Sequence, residues 1–152
     1  SLKIKWPNDL FLSEKKTGGI LVETASNKKG TSIVIGVGLN VLMSDKVENS
    51  IDQDWTSLSI HFGKHFDRNK IAGHILEALF HLKNNFESNG FSHYKDEFEE
   101  LNLLKNKECL ATLKDLSLKG LVEGISKNGE LIFNENGKIH QLRYGDVSIK
   151  KI

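Results

Sequence analysis

A single stretch of helical periodicity divides this chain of 152 residues into two regions with strand periodicity. Between residues 68 and 89, apolar side chains recur at spacings of four and three, which predicts one long amphipathic helix. Gly90 is a candidate stop for this helix, and Ser92 is a candidate cap for a shorter helix that reaches about residue 101. The chain therefore has to combine β-structure with packed helices, as in the α+β class.

The first region, residues 2–41, has the pattern of consecutive short strands. Residues 2–6 alternate apolar and basic side chains, residues 20–22 are apolar, and residues 33–39 are rich in β-branched side chains. Polar stretches at 13–18 and 26–30 are predicted to be loops. Because such links are too short to hold a helix, we expect a mixed, largely antiparallel sheet. Residues 42–54 are predicted to be a loop, and residues 55–66 fit a helix or an irregular segment equally.

The second region follows a polar boundary at residues 102–107. Strand patterns occupy residues 109–113, 118–125, 131–133, 139–144 and 147–149, and Asn-Gly pairs at 128–129 and 136–137 are typical of hairpin turns. Five short strands in about 45 residues predict a small β-barrel of SH3-like or OB-like size. We therefore predict two domains, residues 1–103 and residues 104–152.

Composition excludes several classes of function. Lys and Arg total 21 against 20 Asp and Glu, which gives a net charge of +1, and Arg68 and Arg143 are the only arginines. Nucleic-acid binding through this chain is therefore not expected. No apolar run approaches the roughly 20 residues of a membrane span. Cys109 is the only cysteine, so no internal disulfide can form and a cytoplasmic location is expected. His61 and His65 lack the Glu and thiolate partners of common zinc motifs, so no metal site is predicted in the protein itself.

Three polar clusters are candidates for chemistry, and each has an ordinary structural alternative. Residues 6–9 (WPND) place an amide and a carboxylate on a turn, where they would orient a nucleotide or accept a proton, or simply form an Asx-type turn. Residues 15–19 (KKTGG) put lysines within reach of a phosphate or carboxylate, or merely in solvent. Residues 36–40 (GVGLN) let a ligand approach the strand backbone, or form a bulge and a turn. The last cluster lacks the third glycine of a dinucleotide fingerprint.

Taken together and in this order, the clusters resemble the catalytic core of biotin protein ligases. Residues 5–10 (KWPNDL), 16–23 (KTGGILVE) and 36–41 (GVGLNV) resemble the family's K-W-P-N-D-L, K-x-A/G-G-I-L-x-E and G-x-G-I/L-N. Residues 144–150 (YGDVSIK) resemble its closing G-E/D-I/V-S-L/I-R/K. The resemblance covers essentially the whole chain. It implies part of a class II synthetase-like catalytic domain followed by an SH3-like barrel.

The resemblance also implies an activity and a set of site residues. Such enzymes join biotin to a lysine of a biotin carboxyl carrier protein, using ATP and Mg²⁺ to form biotinyl-5′-AMP first. By resemblance, Lys16 contacts the biotin carboxyl group and the phosphate, and Asp9 lies near the incoming amine. The implied binding residues are Asn8 for the adenylate or its metal, Gly19 and Ile20 for biotin, Gly36 for close ligand approach, Leu39 and Asn40 for adenine, and Lys150 for ATP or the acceptor.

The resemblance leaves several points open. In this family an arginine- and glycine-rich loop, and the residues that bind the biotin ureido ring, precede the first motif. Neither is in this sequence, so we expect a C-terminal half that is poorly active alone. An upstream DNA-binding domain is not decided by this sequence. The alternatives are a lipoate or octanoate ligase-type acyl transferase and a non-catalytic β-barrel interaction module. The sheet edge around residues 33–37 is expected to pair with a second copy.

Overall fold

The computed structural model describes residues 1–28, 30–44, 54–113, 116–145 and 147–152, and it confirms a mixed α+β fold. Two compact units divide the chain. One is Ser1–Lys3 with Asn8–Ala72, and the other is Ile4–Pro7 with Gly73–Ile152. Residues 45–53 of the predicted loop and Asp146 of the closing motif lie outside the described residues. The division into domains at residue 103 stays a prediction.

Four strands near the N-terminus form one sheet. They are β1 (Leu2–Lys5), β2 (Asp9–Leu12), β3 (Lys15–Asn27) and β4 (Gly30–Leu39), in the order β1-β2-β3-β4. The antiparallel pairing predicted from the short links is confirmed for β2 with β3 and for β3 with β4.

The two polar loops predicted in this region are wrong in extent. Strand β3 begins at Lys15 and continues to Asn27, so the first link is a tight turn at Ser13 and Glu14, which both have positive φ angles. The polar residues at the far end of β3 are paired across the ribbon; Ser26 Oγ lies 2.9 Å from Thr31 Oγ1. Ladder hydrogen bonds do not depend on side-chain polarity, and therefore a hydrophobic pattern underestimates the length of such strands.

The helices follow the predicted order. They are α1 (Leu58–Phe62), α2 (Arg68–Asn89) and α3 (Lys95–Leu101), with a short 3₁₀ helix at Phe91–Tyr94 before α3. Ser92 is not a helix cap, because it lies inside this 3₁₀ helix and α3 begins after Tyr94. The ambiguous residues 55–66 contain α1, which Ser57 caps at its start and Gly63 ends in the left-handed conformation. Among the described residues, no helix combines the length and apolarity that a membrane crossing requires.

The C-terminal strands form a second antiparallel sheet. They are β5 (Glu108–Leu113), β6 (Leu116–Ile125), β7 (Leu131–Glu135), β8 (Lys138–Leu142) and β9 (Val147–Lys151), in the order β8-β7-β6-β5-β9. This is an SH3-like barrel that is not closed. Asn136 and Gly137 form the predicted two-residue turn, both with positive φ. Asn128 and Gly129 instead lie in the longer link 126–130.

Buried apolar residues of this second unit form one core. Its members include Cys109, Ala111, Val122, Ile125, Leu131 and Phe133. Burial also raises the pKa of the Cys109 thiol, which favours the structural interpretation of that residue. Trp6 of the first motif belongs to the same core, and its Nε1 donates to the carbonyl of Gly129 at 2.9 Å. The tryptophan is therefore a structural residue of the barrel.

Candidate active site

Lys16 and Asp9, the two predicted catalytic residues, form an ion pair. The Lys16 Nζ atom lies 2.7 Å from Asp9 Oδ1, and the side chains are 28% and 25% exposed. Each residue lies near the start of its strand, β3 for Lys16 and β2 for Asp9. Because an ammonium carries three donors, Lys16 can hold Asp9 and still contact another anion from the solvent side.

A β-bulge explains how Lys16 comes to face Asp9. The pairing of Asp9 with Gly19 would place Phe11 opposite Thr17 in a regular ladder, but Phe11 pairs with Lys16 instead. Thr17 is therefore an extra residue in β3. Alternate residues of a strand point to opposite faces, so Phe11 shares the face of Asp9, and the bulge brings Lys16 to that face as well.

Glycines line the sheet face beside the ion pair. Gly19 lies opposite both Asp9 and Gly38, and Gly36 shares their face because it is two residues from Gly38. We call Gly19, Gly36 and Gly38 the glycine patch. A Cβ atom on Gly19 would lie 3.2 Å from Asp9 Oδ1, whereas a Cβ atom on Gly36 would have only the carbonyl of Leu21, at 3.8 Å, within contact. Gly19 thus makes room for the carboxylate, whereas packing does not require glycine at 36.

Asn8 and Ile20 are joined by two hydrogen bonds, one donated by each residue. The amide of Ile20 donates to the carbonyl of Asn8 at 3.0 Å, and Asn8 Nδ2 donates to the carbonyl of Ile20 at 2.6 Å. This arrangement fixes the turn ahead of β2 and leaves Oδ1 as the acceptor that Asn8 can offer to a ligand. Ile20 pairs with Val37, so its side chain lies on the sheet face opposite to the glycine patch.

Asn40 connects the end of β4 to its surroundings. Its backbone amide donates to the carbonyl of Thr17 at 2.8 Å, and its Nδ2 donates to the carbonyl of Thr56 at 3.2 Å. Leu39, the residue before it, pairs with Gly18 of β3. The third motif is therefore attached directly to the second one.

Residues 54–57 lie in this site and were missed by sequence analysis. Lys16 donates its amide to the carbonyl of Asp54 at 3.0 Å, and its carbonyl accepts from the amide of Thr56 at 2.9 Å. This isolated parallel bridge, between Lys16 and Trp55, joins segments far apart in sequence, so no local periodicity predicts it. Only Ser57 carries a local signal, because serine is a preferred residue directly before the first residue of a helix.

The remaining sequence candidates lie elsewhere or do not form a site. Lys150 is exposed on β9 in the second unit, and its role stays a prediction. Helix α1 ends at Phe62, so His61 and His65 are not aligned on one helix. Within the described ranges, no three His, Cys, Asp or Glu side chains are grouped as a metal site would require.

Sequence comparisons find biotin protein ligases. The profile of the biotin/lipoate A/B protein ligase family matches residues 1–40. The bifunctional ligase/repressor BirA of Escherichia coli is 33% identical over 150 residues, which cover 98% of this chain and 46% of that protein. A biotin–acetyl-CoA-carboxylase ligase of Mycobacterium tuberculosis is 40% identical over 76 residues, covering 50% of this chain and 26% of that protein.

The fold is also that of a solved ligase. The biotin protein ligase from Aquifex aeolicus, in complex with biotin and ATP, superposes with a TM-score of 0.84 at 26% identity. The match covers 99% of this chain and 62% of that one. This chain spans about half the length of its E. coli relative, 46%. In its motifs, its fold and these similarities, the chain resembles part of a biotin protein ligase.

Proposed function

We propose that this chain forms part of the active site of an ATP-dependent ligase that attaches biotin to a lysine of a biotin carboxyl carrier protein. The observation that carries the proposal is the Lys16–Asp9 ion pair, 2.7 Å long, beside the glycine patch. A partly exposed cation next to bare strand backbone suits an anionic, extended ligand such as an acyl adenylate.

In the first step, a carboxylate oxygen of biotin attacks the α-phosphorus of ATP. The bond from that phosphorus to the bridging oxygen of the β-phosphate breaks, and pyrophosphate leaves. Negative charge accumulates on the α-phosphate oxygens, where the Lys16 ammonium stabilises it. The glycine patch lets the resulting biotinyl-5′-AMP lie against the backbone of β3 and β4.

In the second step, the ε-amine of the acceptor lysine attacks the acyl carbon. The anhydride C–O bond breaks, AMP leaves with the bonding electron pair, and the amine loses a proton. Once Lys16 is drawn to the phosphate, the Asp9 carboxylate is free of its partner and accepts that proton. The same ion pair thus serves both steps, because its two members separate when the anionic intermediate is bound.

The other site residues are assigned by the family resemblance, and the chemistry of Asn8 supports its assignment. Asn8 Oδ1 can accept a hydrogen bond from the adenylate or act as a ligand of its Mg²⁺ ion, since Mg²⁺ prefers oxygen ligands. Mg²⁺ delivered with ATP would neutralise phosphate charge. The remaining assignments are Gly19 and Ile20 for biotin, Gly36 for ligand approach, Leu39 and Asn40 for adenine, and Lys150 for ATP or the acceptor. Those of Ile20 and Leu39 rest on the resemblance alone, because their side chains lie on the sheet face opposite to the glycine patch.

We expect efficient turnover to require the rest of the ligase fold. The sheet face opposite to the glycine patch carries Val22, Ile33 and Ile35, whose exposed fractions are 51%, 63% and 40%. Monomeric proteins rarely leave contiguous apolar patches uncovered. Relatives extend well beyond the matched part, and their additional polypeptide is the proposed cover for this face.

Mass spectrometry of an acceptor domain tests the function. We expect biotinylation with biotin, MgATP, this chain and the complementary part of its own ligase, and little without that part. An acceptor whose target lysine is replaced by arginine is the control. Because the matching family profile also includes lipoate ligases, lipoate is offered in a parallel reaction. Transfer of lipoate in preference to biotin would identify a lipoate ligase, and no transfer in any mixture would favour a non-catalytic module.

We also propose that β4 pairs with a second copy. It is the edge strand of the described sheet, next to β3, and Val34 and Ile35 on it are exposed. An edge strand presents unpaired backbone groups to another strand, and an inserted lysine prevents such pairing. Sedimentation should show a dimer that Ile35→Lys disrupts, whereas Leu76→Lys on α2 leaves it intact. A wild-type chain that remains monomeric at high concentration would contradict the pairing.

The proposed compartment is the cytoplasm. Cys109 is an unpaired, buried thiol, which suits a reducing environment. A net charge of +1 gives this chain no electrostatic drive toward nucleic acid, so the acceptor protein is its proposed macromolecular partner.

A further inference from the structure

We infer that Ser57 is a positioning residue for Lys16, acting through the segment that holds the lysine backbone. The inference rests on the proposed function, in which Lys16 contacts the reacting groups. Ser57 is fully buried, and its Oγ donates to the carbonyl of Met43 at 2.7 Å. The same oxygen accepts from the amide of Ile60 at 3.2 Å. One hydroxyl therefore caps α1 and fastens the chain beyond β4.

Residues 54–57, which we call the brace, hold the backbone of Lys16 on both sides. The amide of Lys16 donates to Asp54, and the carbonyl of Lys16 accepts from Thr56. With both backbone groups bound, Lys16 has little freedom to rotate about its own strand. The direction of the side chain toward Asp9 then depends on where the brace lies.

The bulge makes this backbone support necessary. Thr17 is the extra residue of β3, and its buried Oγ1 has no hydrogen-bond partner among the described residues. The threonine side chain therefore does not secure the bulge. The Thr17 carbonyl accepts from the amide of Asn40, so the bulge is held by backbone hydrogen bonds to Asn40 and to the brace.

The brace and the first residue of α1 are in turn bonded to residues 40–43 at several points. Asn40 Nδ2 donates to the carbonyl of Thr56, and the carbonyl of Asn40 accepts from Leu58 at 2.9 Å. The Ser57 hydroxyl adds the contact to Met43. Because this hydroxyl lies at the end of the brace, its removal should loosen residues 54–57 while leaving the β3–β4 ladder intact.

Ser59 offers a matched control two residues away in α1. Its Oγ is also buried, but it has no hydrogen-bond partner in the described part of the chain. Ser57→Ala removes a hydroxyl from the cap of α1 and Ser59→Ala removes one from its first turn, and only the first substitution removes hydrogen bonds. Any effect of deleting a buried hydroxyl as such should appear in both variants.

Amide hydrogen exchange, followed by NMR on this chain, is the experiment. Ser57→Ala should speed exchange at the Lys16 and Thr56 amides about five- to tenfold, the equivalent of losing one hydrogen bond. The Ile20 amide, bound to Asn8, should keep its rate, and Ser59→Ala should leave all three rates unchanged. Equal effects of the two variants would overturn the inference. So would unchanged rates at Lys16 and Thr56, or equal acceleration at all three amides.

Kinetics of biotin transfer separate this inference from the proposed function. With the complementary part present, Ser57→Ala should lower kcat about tenfold and leave KM for biotin and ATP within about twofold. The reason is that a misplaced Lys16 stabilises the transition state less, while the binding of the substrates in the ground state changes little. If Ser57→Ala changes amide exchange as expected but the wild type transfers no biotin, the proposed function is contradicted and the structural role of the brace is still supported. Transfer unaffected by Ser57→Ala would overturn the positioning role.

Discussion

Replacing Lys16 by alanine is expected to slow biotin transfer at least about 100-fold, whereas Lys15→Ala should leave the rate within about twofold. The two lysines are neighbours on β3, and each substitution removes one positive charge from the same strand. Lys16 alone faces Asp9, at 2.7 Å, while Lys15 is exposed. A difference between the variants therefore reports the position of the ammonium and not the net charge.

The loss should appear in both half-reactions. Pyrophosphate release measures the formation of biotinyl-5′-AMP. Mixing a preformed adenylate with the acceptor measures acyl transfer alone. Lys16→Ala should slow both, because the phosphate carries negative charge in each transition state. Asp9→Asn should slow the second more than the first, because it removes the proposed proton acceptor and spares the cation.

Stability separates this effect from a folding defect. Ion pairs between partly exposed side chains contribute only about 0–1 kcal/mol to the free energy of unfolding, so Lys16→Ala should remain folded. Urea unfolding of the wild type and both lysine variants measures this directly. If Lys16→Ala keeps more than a fifth of the wild-type rate while remaining folded, the cation that stabilises the phosphate must be another residue.

Local patterns predicted those parts of the fold that depend on near neighbours in sequence. The stripe in α2 repeats every three to four residues, and the Asn136–Gly137 turn needs only two residues of suitable conformation. The extent of β3 was underestimated because Thr24 and Ser26 are held in the ladder opposite Ile33 and Thr31 of β4. Their polar side chains give no hydrophobic pattern from which that pairing could be predicted.

The candidate site shows the same limit. Resemblance to the family singled out Lys16 and Asp9, and the structure brings them together. The bulge at Thr17 is not visible locally, because it is a property of the register between two strands. The brace is not visible locally either, because about forty residues of sequence separate it from Lys16. Long-range backbone pairing places the ammonium, and no single motif encodes it.

Substituting Gly18 by alanine is expected to destabilise the fold by about 3 kcal/mol, whereas Gly38→Ala should change stability by less than about 1 kcal/mol. A Cβ atom on Gly18 would collide with the carbonyl oxygen of Gly38 and would lie 3.2 Å from the Cα atom of Leu39. Both are backbone atoms of β4 and cannot rotate away. A Cβ atom on Gly38 would meet only the carbonyl of Gly19, at 3.8 Å, an ordinary contact.

Urea unfolding of the two variants measures the difference in their free energies of unfolding. Equal unfolding midpoints would show that β3 and β4 can move apart at this point without loss of stability. The pair also distinguishes two uses of glycine in one ribbon. Gly18 allows two strands to approach each other, so its substitution should lower stability and activity together. Gly38 belongs to the glycine patch, and Gly38→Ala should slow biotin transfer at nearly unchanged stability, because its methyl group occupies space that packing leaves open. Separate responses of stability and transfer would therefore show that the patch is kept bare for a ligand.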